Sequence, residues 1–275
     1  MRNFAKLKIA LLIICLCAPL AAAQNPKNYT DEEAARSGKL FEEGNDLMEQ
    51  KKPAEALAKF KQSLAVVPDA LGALYNGGLA AFQTKDFEQA ISMWKRLKEL
   101  DAQDWQVRAK LVQAYQALGK MSERDAERRE LFDLRKNGKI EELKKAEFYV
   151  REQSEFAGQK VMVFEHFELK GDRALRYVFY ILDENEKIQF RISLGSYAFT
   201  NAIWRETTKP KPKDGERLFH LDGYYSWGHA TFGMYPKEPT YDETREIVRQ
   251  ILAKEKKPVS SSTVGNPPPK QEKPE

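Results

Sequence analysis

The segment from Phe219 to Tyr235 is rich in residue types that do chemistry in proteins. It reads FHLDGYYSWGHATFGMY and contains two of the three histidines of the chain, an aspartate, three tyrosines and a tryptophan. His220 and Asp222 are two residues apart, so on an extended strand both side chains point to the same face. His229 lies opposite them if the segment folds as a hairpin. Such a set offers ligands to a metal ion or an oriented base to a reaction.

Three interpretations of this segment stay open. A metal site depends on the hairpin pairing, because the chain has no H-E-x-x-H motif and no histidine pair at helical spacing. A hydrolytic site with Ser226 as nucleophile lacks a G-x-S-x-G elbow. The third interpretation is an aromatic surface for a sugar ring or a hydrophobic partner, with Phe232, Tyr235 and Trp204 as further aromatics. The predicted second surface consists of His220, Asp222, Tyr224, Tyr225, Trp227 and His229.

The N-terminus predicts export. A basic head precedes a short apolar run and an A-x-A pattern that ends at Ala23, which is typical of a secretory signal peptide over 1–23. Lipidation of Cys15 or Cys17 is the alternative, but Ile14 and Leu16 are bulky where such a signal needs a small residue. Cleavage near Ala23 removes both cysteines, so the mature chain has no thiol chemistry. We expect a periplasmic or secreted protein that is not integral to a membrane.

The charge of the chain argues against a nucleic-acid partner. The formal net charge is +4, and Arg2, Lys6 and Lys8 leave with the signal peptide, so the mature chain is nearly neutral. Acidic and basic residues are interleaved, and no basic face is concentrated enough to hold a phosphate backbone. No glycine-rich phosphate loop is present, so we predict no cofactor.

The first half contains an internal repeat with a period of 34 residues, over 37–70 and 71–104. In this register Gly44 matches Gly78, and Phe60 matches Trp94. A third unit over 105–138 keeps its first helix, but Arg124 stands where the second helix needs a small residue. The units resemble the tetratricopeptide repeat (TPR), a helix-turn-helix unit of this length. A capping box at Thr30 opens the predicted domain, which spans 28–138.

The resemblance to TPR proteins implies a concave groove that binds a protein or an extended peptide. It also implies a carboxylate clamp at Asn45, Asn76 and Lys110, although Phe41 and Gln106 occupy two basic positions of that clamp. Alternatively, the C-terminal domain of the chain itself fills the groove. The residues predicted to line the groove are Phe41, Asn45, Met48, Tyr75, Asn76, Leu79, Phe82, Lys110, Gln113 and Gln116.

The second half has the pattern of a sheet. After Gly138, runs rich in β-branched and aromatic residues alternate with short turns, which predicts about six antiparallel strands within a domain over 139–255. A second capping box, at Thr240, begins an amphipathic helix that we expect to pack on the sheet. The residues 256–275 form a Pro/Ser/Lys tail that we predict to be disordered.

The predicted fold is an N-terminal helical-repeat superhelix followed by a small α+β domain with an antiparallel sheet and a C-terminal helix. We expect an exported, non-catalytic scaffold that binds a protein or peptide through the repeat groove. The alternative is a cell-envelope enzyme, or a glycan- or metal-binding module, with its site near His220, Asp222 and His229. The sequence does not predict an oligomeric state.

Overall fold

A computed structural model describes residues 29–138, 140–170, 173–198, 216–226 and 228–255. The predicted signal peptide over 1–23 and the predicted tail over 256–275 lie outside these ranges, as do Trp204 and Trp227. None of the helices in the described ranges is long and apolar enough to cross a membrane.

The first half consists of three antiparallel helix pairs, as the repeat predicts. Each pair corresponds to one 34-residue unit, and successive helices pack against one another from α1 to α6. The helices are α1 (Asp31–Glu49), α2 (Pro53–Val66), α3 (Leu71–Gln83), α4 (Phe87–Leu100), α5 (Trp105–Ala117) and α6 (Met121–Asn137). A short helix that the sequence pattern did not predict, α7 (Glu141–Lys145), leads into the second half.

The two repeated glycines allow the helices of each pair to approach closely. A Cβ atom on Gly44 would lie 2.6 Å from the ring of Phe60, and one on Gly78 would lie 2.2 Å from Nε1 of Trp94. Both aromatic side chains are fully buried. The glycine and the aromatic residue that recur in the sequence are therefore in direct contact within each of the first two units.

The second half is a six-stranded antiparallel sheet in which each strand pairs with the next along the chain. This confirms the predicted strand content. The strands are β1 (Phe148–Phe156), β2 (Gln159–His166), β3 (Arg173–Leu182), β4 (Ile188–Ala198), β5 (Arg217–Tyr225) and β6 (Gly228–Tyr235).

The C-terminal helix α8 (Tyr241–Glu255) covers one face of the sheet. Its first turn is held by the predicted capping box, in which the Thr240 amide donates to Glu243 at 2.8 Å and the Glu243 amide donates back at 3.3 Å. The stripe Tyr241, Val248 and Leu252 is buried in one core with residues from all of the central strands. The face that packs on α8 is called the inner face below, and the opposite one the outer face.

The two halves share a hydrophobic core where they meet. Ala109 and Val112 of α5 pack with Leu143 of α7, Tyr149 of β1 and Phe167 at the end of β2. All five side chains are buried. The sheet is therefore docked on the third repeat through its first strand.

Candidate peptide groove and sheet surface

The groove predicted for the repeats is formed by α1 and α3. Its predicted lining residues on these helices are all partly buried. Between the two helices, Nδ2 of Asn76 donates a hydrogen bond of 2.7 Å to Oδ1 of Asn45. The structure therefore brings together Phe41, Asn45, Met48, Tyr75, Asn76, Leu79 and Phe82 along two adjacent helices.

The aromatic residues of the groove are held by the helices behind them. The Phe41 ring lies 5.9 Å from that of Phe60, and the Phe82 ring lies 5.1 Å from that of Phe87. Burial and, to a smaller extent, the charge of Asp104 raise the pKa of the Tyr75 hydroxyl to about 12, so it remains a neutral donor at physiological pH. The groove is thus a firmly packed apolar surface with amide and hydroxyl groups along it.

The third repeat does not present an open groove. Nε2 of Gln113 donates a 2.8 Å hydrogen bond to the backbone carbonyl of Val150 in β1, and Oε1 of Gln116 accepts one of 2.7 Å from Arg124. Both glutamines are buried. Gln113 therefore lies against β1 of the C-terminal domain, and Gln116 is linked to that domain through Arg124, which also binds Asp242 of α8. The alternative of a self-occupied groove holds for the third repeat.

Lys110 lies on α5 next to this covered region. Burial lowers the pKa of its ammonium group, and within the described residues no carboxylate forms an ion pair with it. Of the residues of the implied carboxylate clamp, Asn45 and Asn76 lie side by side, and Lys110 has no carboxylate partner among the described residues. Phe41, at one of the basic positions, packs on Phe60 instead.

A buried ionic cluster at the junction of the two halves was missed in the sequence analysis. Glu165 of β2 is fully buried and accepts hydrogen bonds from the Tyr149 hydroxyl (2.6 Å), from Nε of Arg128 (2.9 Å) and from Arg151. Burial alone would raise the pKa of Glu165, but the charges of Arg151 and Arg128 hold it below its ordinary value of 4.5. We call Arg128, Tyr149, Arg151 and Glu165 the junction cluster.

Arg124 extends these contacts to α8. Its guanidinium binds both carboxylate oxygens of Asp242, at 2.7 and 2.9 Å, while the side chain is 2% exposed. Nearby, Glu152 of β1 binds Arg245 of α8 at 2.9 Å and accepts a bond from the Tyr241 hydroxyl. Arg124 could have been found from the sequence, since a charged residue at a small-residue position of the repeat needs a partner.

On the hairpin of β5 and β6, His220 and Asp222 do meet. Nδ1 of His220 is hydrogen-bonded to Asp222, and the Thr231 hydroxyl donates a 2.8 Å bond to the other carboxylate oxygen. Burial would raise the pKa of Asp222, but the bonds from His220 and Thr231 hold it below its ordinary value. The opposite residue of β4 is Gly195, where a Cβ would lie 2.8 Å from the imidazole.

The other described residues of the predicted second surface are divided between the two faces of the sheet, with Tyr224 and His229 on the outer face and Tyr225 on the inner one. His229 is exposed and stacks on Tyr224, with ring centroids 6.0 Å apart, whereas Tyr225 stacks on Phe190 at 4.9 Å against the inner core. Trp227 lies outside the described residues. Across the part of the chain that the structure describes, no three His, Cys, Asp or Glu side chains are placed to share a metal ion.

No family model matches this chain, and a search of curated proteins finds no significant match. Solved structures similar to the helical half are TPR domains. The second TPR of Spaghetti (RPAP3), bound to the HSP90 peptide SRMEEVD, is 16% identical and covers 37% of this chain and 96% of its own, with a TM-score of 0.35. The Sgt2 TPR domain from Aspergillus fumigatus is 21% identical and covers 44% and 78%, with a TM-score of 0.36. The Arabidopsis OM64 TPR domain is 18% identical and covers 39% and 88%, with a TM-score of 0.35.

The repeat architecture of this chain rests on its own helix pairs and on the glycine–aromatic contacts within them. These features make the helical half a TPR-like array, with an α+β domain docked on its last unit.

Proposed function

We propose that this protein is a non-catalytic scaffold that binds an extended segment of another protein in the groove formed by α1 and α3. One observation carries the proposal. The first two repeats leave a partly buried surface of aromatic, aliphatic and amide groups, while the third repeat is already covered by the protein's own C-terminal domain. The groove that remains for a partner therefore consists of two repeats and ends at the docked sheet.

The chemistry of the groove suits an extended chain with apolar side chains. Asn45 and Asn76 offer amide groups to a peptide backbone, and Tyr75 and Phe82 offer apolar contact to alternate side chains. At the closed end, Lys110 has a partly buried amino group with which no described carboxylate forms an ion pair. An acidic group of the bound segment would therefore be favoured at that end.

The place of action follows from the predicted signal peptide. We propose that the mature chain works outside the cytoplasm, in the periplasm or after secretion, and that it needs neither a cofactor nor a metal ion for binding.

The test is selection of peptides from a random display library on the immobilised full chain. Synthetic versions of the enriched peptides are then titrated against the variant with both Tyr75→Ala and Phe82→Ala. We expect binding to weaken by roughly a hundredfold, because two apolar contacts are lost together. The milder pair Asn45→Ala and Asn76→Ala should weaken it by roughly tenfold.

Lys95→Ala, on the exposed side of α4, is the matched control and should bind as the unaltered chain does. Melting temperatures identify any variant that has lost its fold. The proposal fails if no peptide is enriched, or if folded groove variants bind as tightly as the control.

A further inference from the structure

The outer face of the sheet is also aromatic, although an antiparallel sheet with one covered face normally turns polar side chains to water on the other. Each of the six strands contributes one residue to a row across this face, which we call the sheet row. In strand order its members are Phe148, Phe164, Tyr180, Arg191, Tyr224 and His229.

Side-chain contacts join most of the neighbours in this row. The Phe148 and Phe164 rings pack edge to face at 5.1 Å, and the Phe164 and Tyr180 rings do so at 5.5 Å. Tyr180 pairs with Arg191 across β3 and β4, and the Arg191 guanidinium lies 4.6 Å from the centroid of Tyr224. The stacked pair of Tyr224 and His229 completes the row. Five strand spacings carry the row about 24 Å across the sheet.

The row is open to a ligand at both ends. Phe148 is 44% exposed at one end and His229 is exposed at the other, while the four members between them are partly exposed. Mutual packing holds the rings, so little conformational entropy is lost when a ligand stacks on them.

The charge of this face is positive and incompletely paired. Among the described strand residues, only Glu155 and Asp222 bring a carboxylate to the outer face, and Asp222 is occupied by His220 and Thr231. No described carboxylate forms an ion pair with Arg191, which lies between two tyrosines in the middle of the row. A guanidinium in this position is free to bind an anionic group of a ligand.

We propose that the sheet row binds a saccharide chain that carries carboxylate groups. The aromatic rings stack on the apolar faces of successive sugars, as rings with polar handles do, and Arg191 binds a carboxylate. His220 lies on the same face, and Nε2 of its ring has no hydrogen-bond partner among the described residues, so it is available to a sugar hydroxyl.

Two other occupants fit the same face less well. Single-stranded nucleic acid uses stacking together with a groove of several cations, whereas this row has one arginine and the mature chain is nearly neutral. A second copy of the chain, docked through a twofold axis, would bring two such faces together. Burial of each Arg191 in that interface would be costly, because Glu155 is the one described strand carboxylate of this face that is not already paired.

The test uses the full chain in native gels that contain one dissolved polymer. Carboxymethylcellulose and hydroxyethylcellulose share a sugar backbone and differ in charge, while polyglutamate carries carboxylates without sugars. We expect strong retardation by carboxymethylcellulose, weaker retardation by hydroxyethylcellulose and none by polyglutamate. Retardation by polyglutamate equal to that by carboxymethylcellulose, or no retardation by either cellulose, would overturn the proposal.

Two variants locate the site. Arg191→Gln should weaken binding to carboxymethylcellulose by roughly tenfold and leave hydroxyethylcellulose binding unchanged, because it removes a charged hydrogen bond alone. Phe148→Ala, at the exposed end of the row, should weaken binding to both. Lys254→Gln, an exposed cation on α8, is the control and should change neither.

Equal binding by all three variants would place the saccharide elsewhere and overturn the assignment to this face. A second result would also overturn it, namely that the unaltered chain is a dimer in solution and that Phe148→Asp converts it to a monomer. A second copy of the chain would then cover the row. The peptide selection on the repeat groove is independent of these results.

Discussion

The junction cluster and the outer face of the sheet both combine charged and aromatic side chains but differ in how their charges are paired. At the junction, Glu165 is fully buried and receives two arginines and a tyrosine. On the outer face of the sheet, Asp222 of β5 is satisfied by its neighbours, while Arg191 of β4 has an aromatic ring beside it and no ion pair with a described carboxylate.

The buried carboxylate of the junction cluster is already bound by two arginines and a tyrosine, so it has no remaining capacity for a ligand and serves the fold. A partly exposed cation between aromatic rings retains that capacity. Residue type alone therefore does not separate a structural cluster from a binding surface, whereas burial and pairing do.

The largest expected effect on stability comes from Glu165→Gln. The substitution keeps the shape of the side chain but leaves Arg151, which is 2% exposed, without a counter-charge in a buried site. Breaking one partner of a buried ion pair costs about 3 to 5 kcal/mol. We expect a loss of unfolding free energy of that size in urea titrations followed by circular dichroism.

The matched control for this variant is Glu186→Gln, in the exposed turn before β4, which should change stability by less than about 0.5 kcal/mol. If Glu165→Gln costs no more than the control, the junction cluster does not hold the two halves together.

Acid should weaken the junction in the same way. Burial acts to raise the folded-state pKa of Glu165, but the charges of Arg151 and Arg128 and the hydrogen bonds from Arg128 and Tyr149 together hold it below 4.5. A lowered carboxyl pKa contributes stability that is complete above the unfolded value and is lost as the pH falls through the folded value. The unfolding free energy should therefore decline below a pH of about 4.5.

Stability measured from pH 7 to pH 3 in the unaltered chain and in Glu165→Gln tests this assignment. The variant lacks the titrating carboxyl, so its curve should be flatter. Parallel curves would show that other carboxylates account for the acid dependence.

A smaller effect is expected for Arg124→Met. This change keeps the apolar stem of the side chain but removes the bidentate bond to Asp242 and the bond to Gln116. Because Asp242 is about half exposed, we expect a loss of about 1 to 2 kcal/mol. A double-mutant cycle with Asp242→Asn measures the coupling directly.

Hydrogen exchange gives a second readout of this contact. The first turn of α8 should exchange faster in Arg124→Met, whereas the amides of α1 and α2 should not change. Equal exchange in α8, or a coupling energy near zero, would mean that Arg124 does not link α8 to the repeats.

How far the sequence predicted this molecule depends on the range of the interactions involved. The helix pairs, the capping boxes and the six strands follow from the spacing of residues that are close in sequence. Gly44 and Phe60 belong to one repeat, and Thr240 and Glu243 belong to one helix cap. The junction cluster joins α6 to β1 and β2 through partners as far apart in sequence as Arg128 and Glu165. No local period connects such residues.

The candidate surfaces show the same limit. Alternation along the hairpin predicts that His220 and Asp222 share a face, and they do. The sheet row was not predicted, because its members come one from each strand and meet through registers that depend on bulges in β1, β3 and β6. The burial of Gln113 and Gln116 likewise depends on how the C-terminal domain docks on the repeats, and the composition of the chain does not determine that docking.

The smallest expected effect on stability, and the sharpest contrast with Glu165→Gln, belongs to Arg191→Gln. Its side chain is partly exposed and has no ion pair with any described residue, so the variant should keep its unfolding free energy within about 0.5 kcal/mol. The loss of about tenfold in carboxymethylcellulose binding should then occur in a protein that is as stable as the original. A stability loss near that of Glu165→Gln would instead make Arg191 a structural residue of the sheet, and the contrast between a closed junction and an open face would no longer hold.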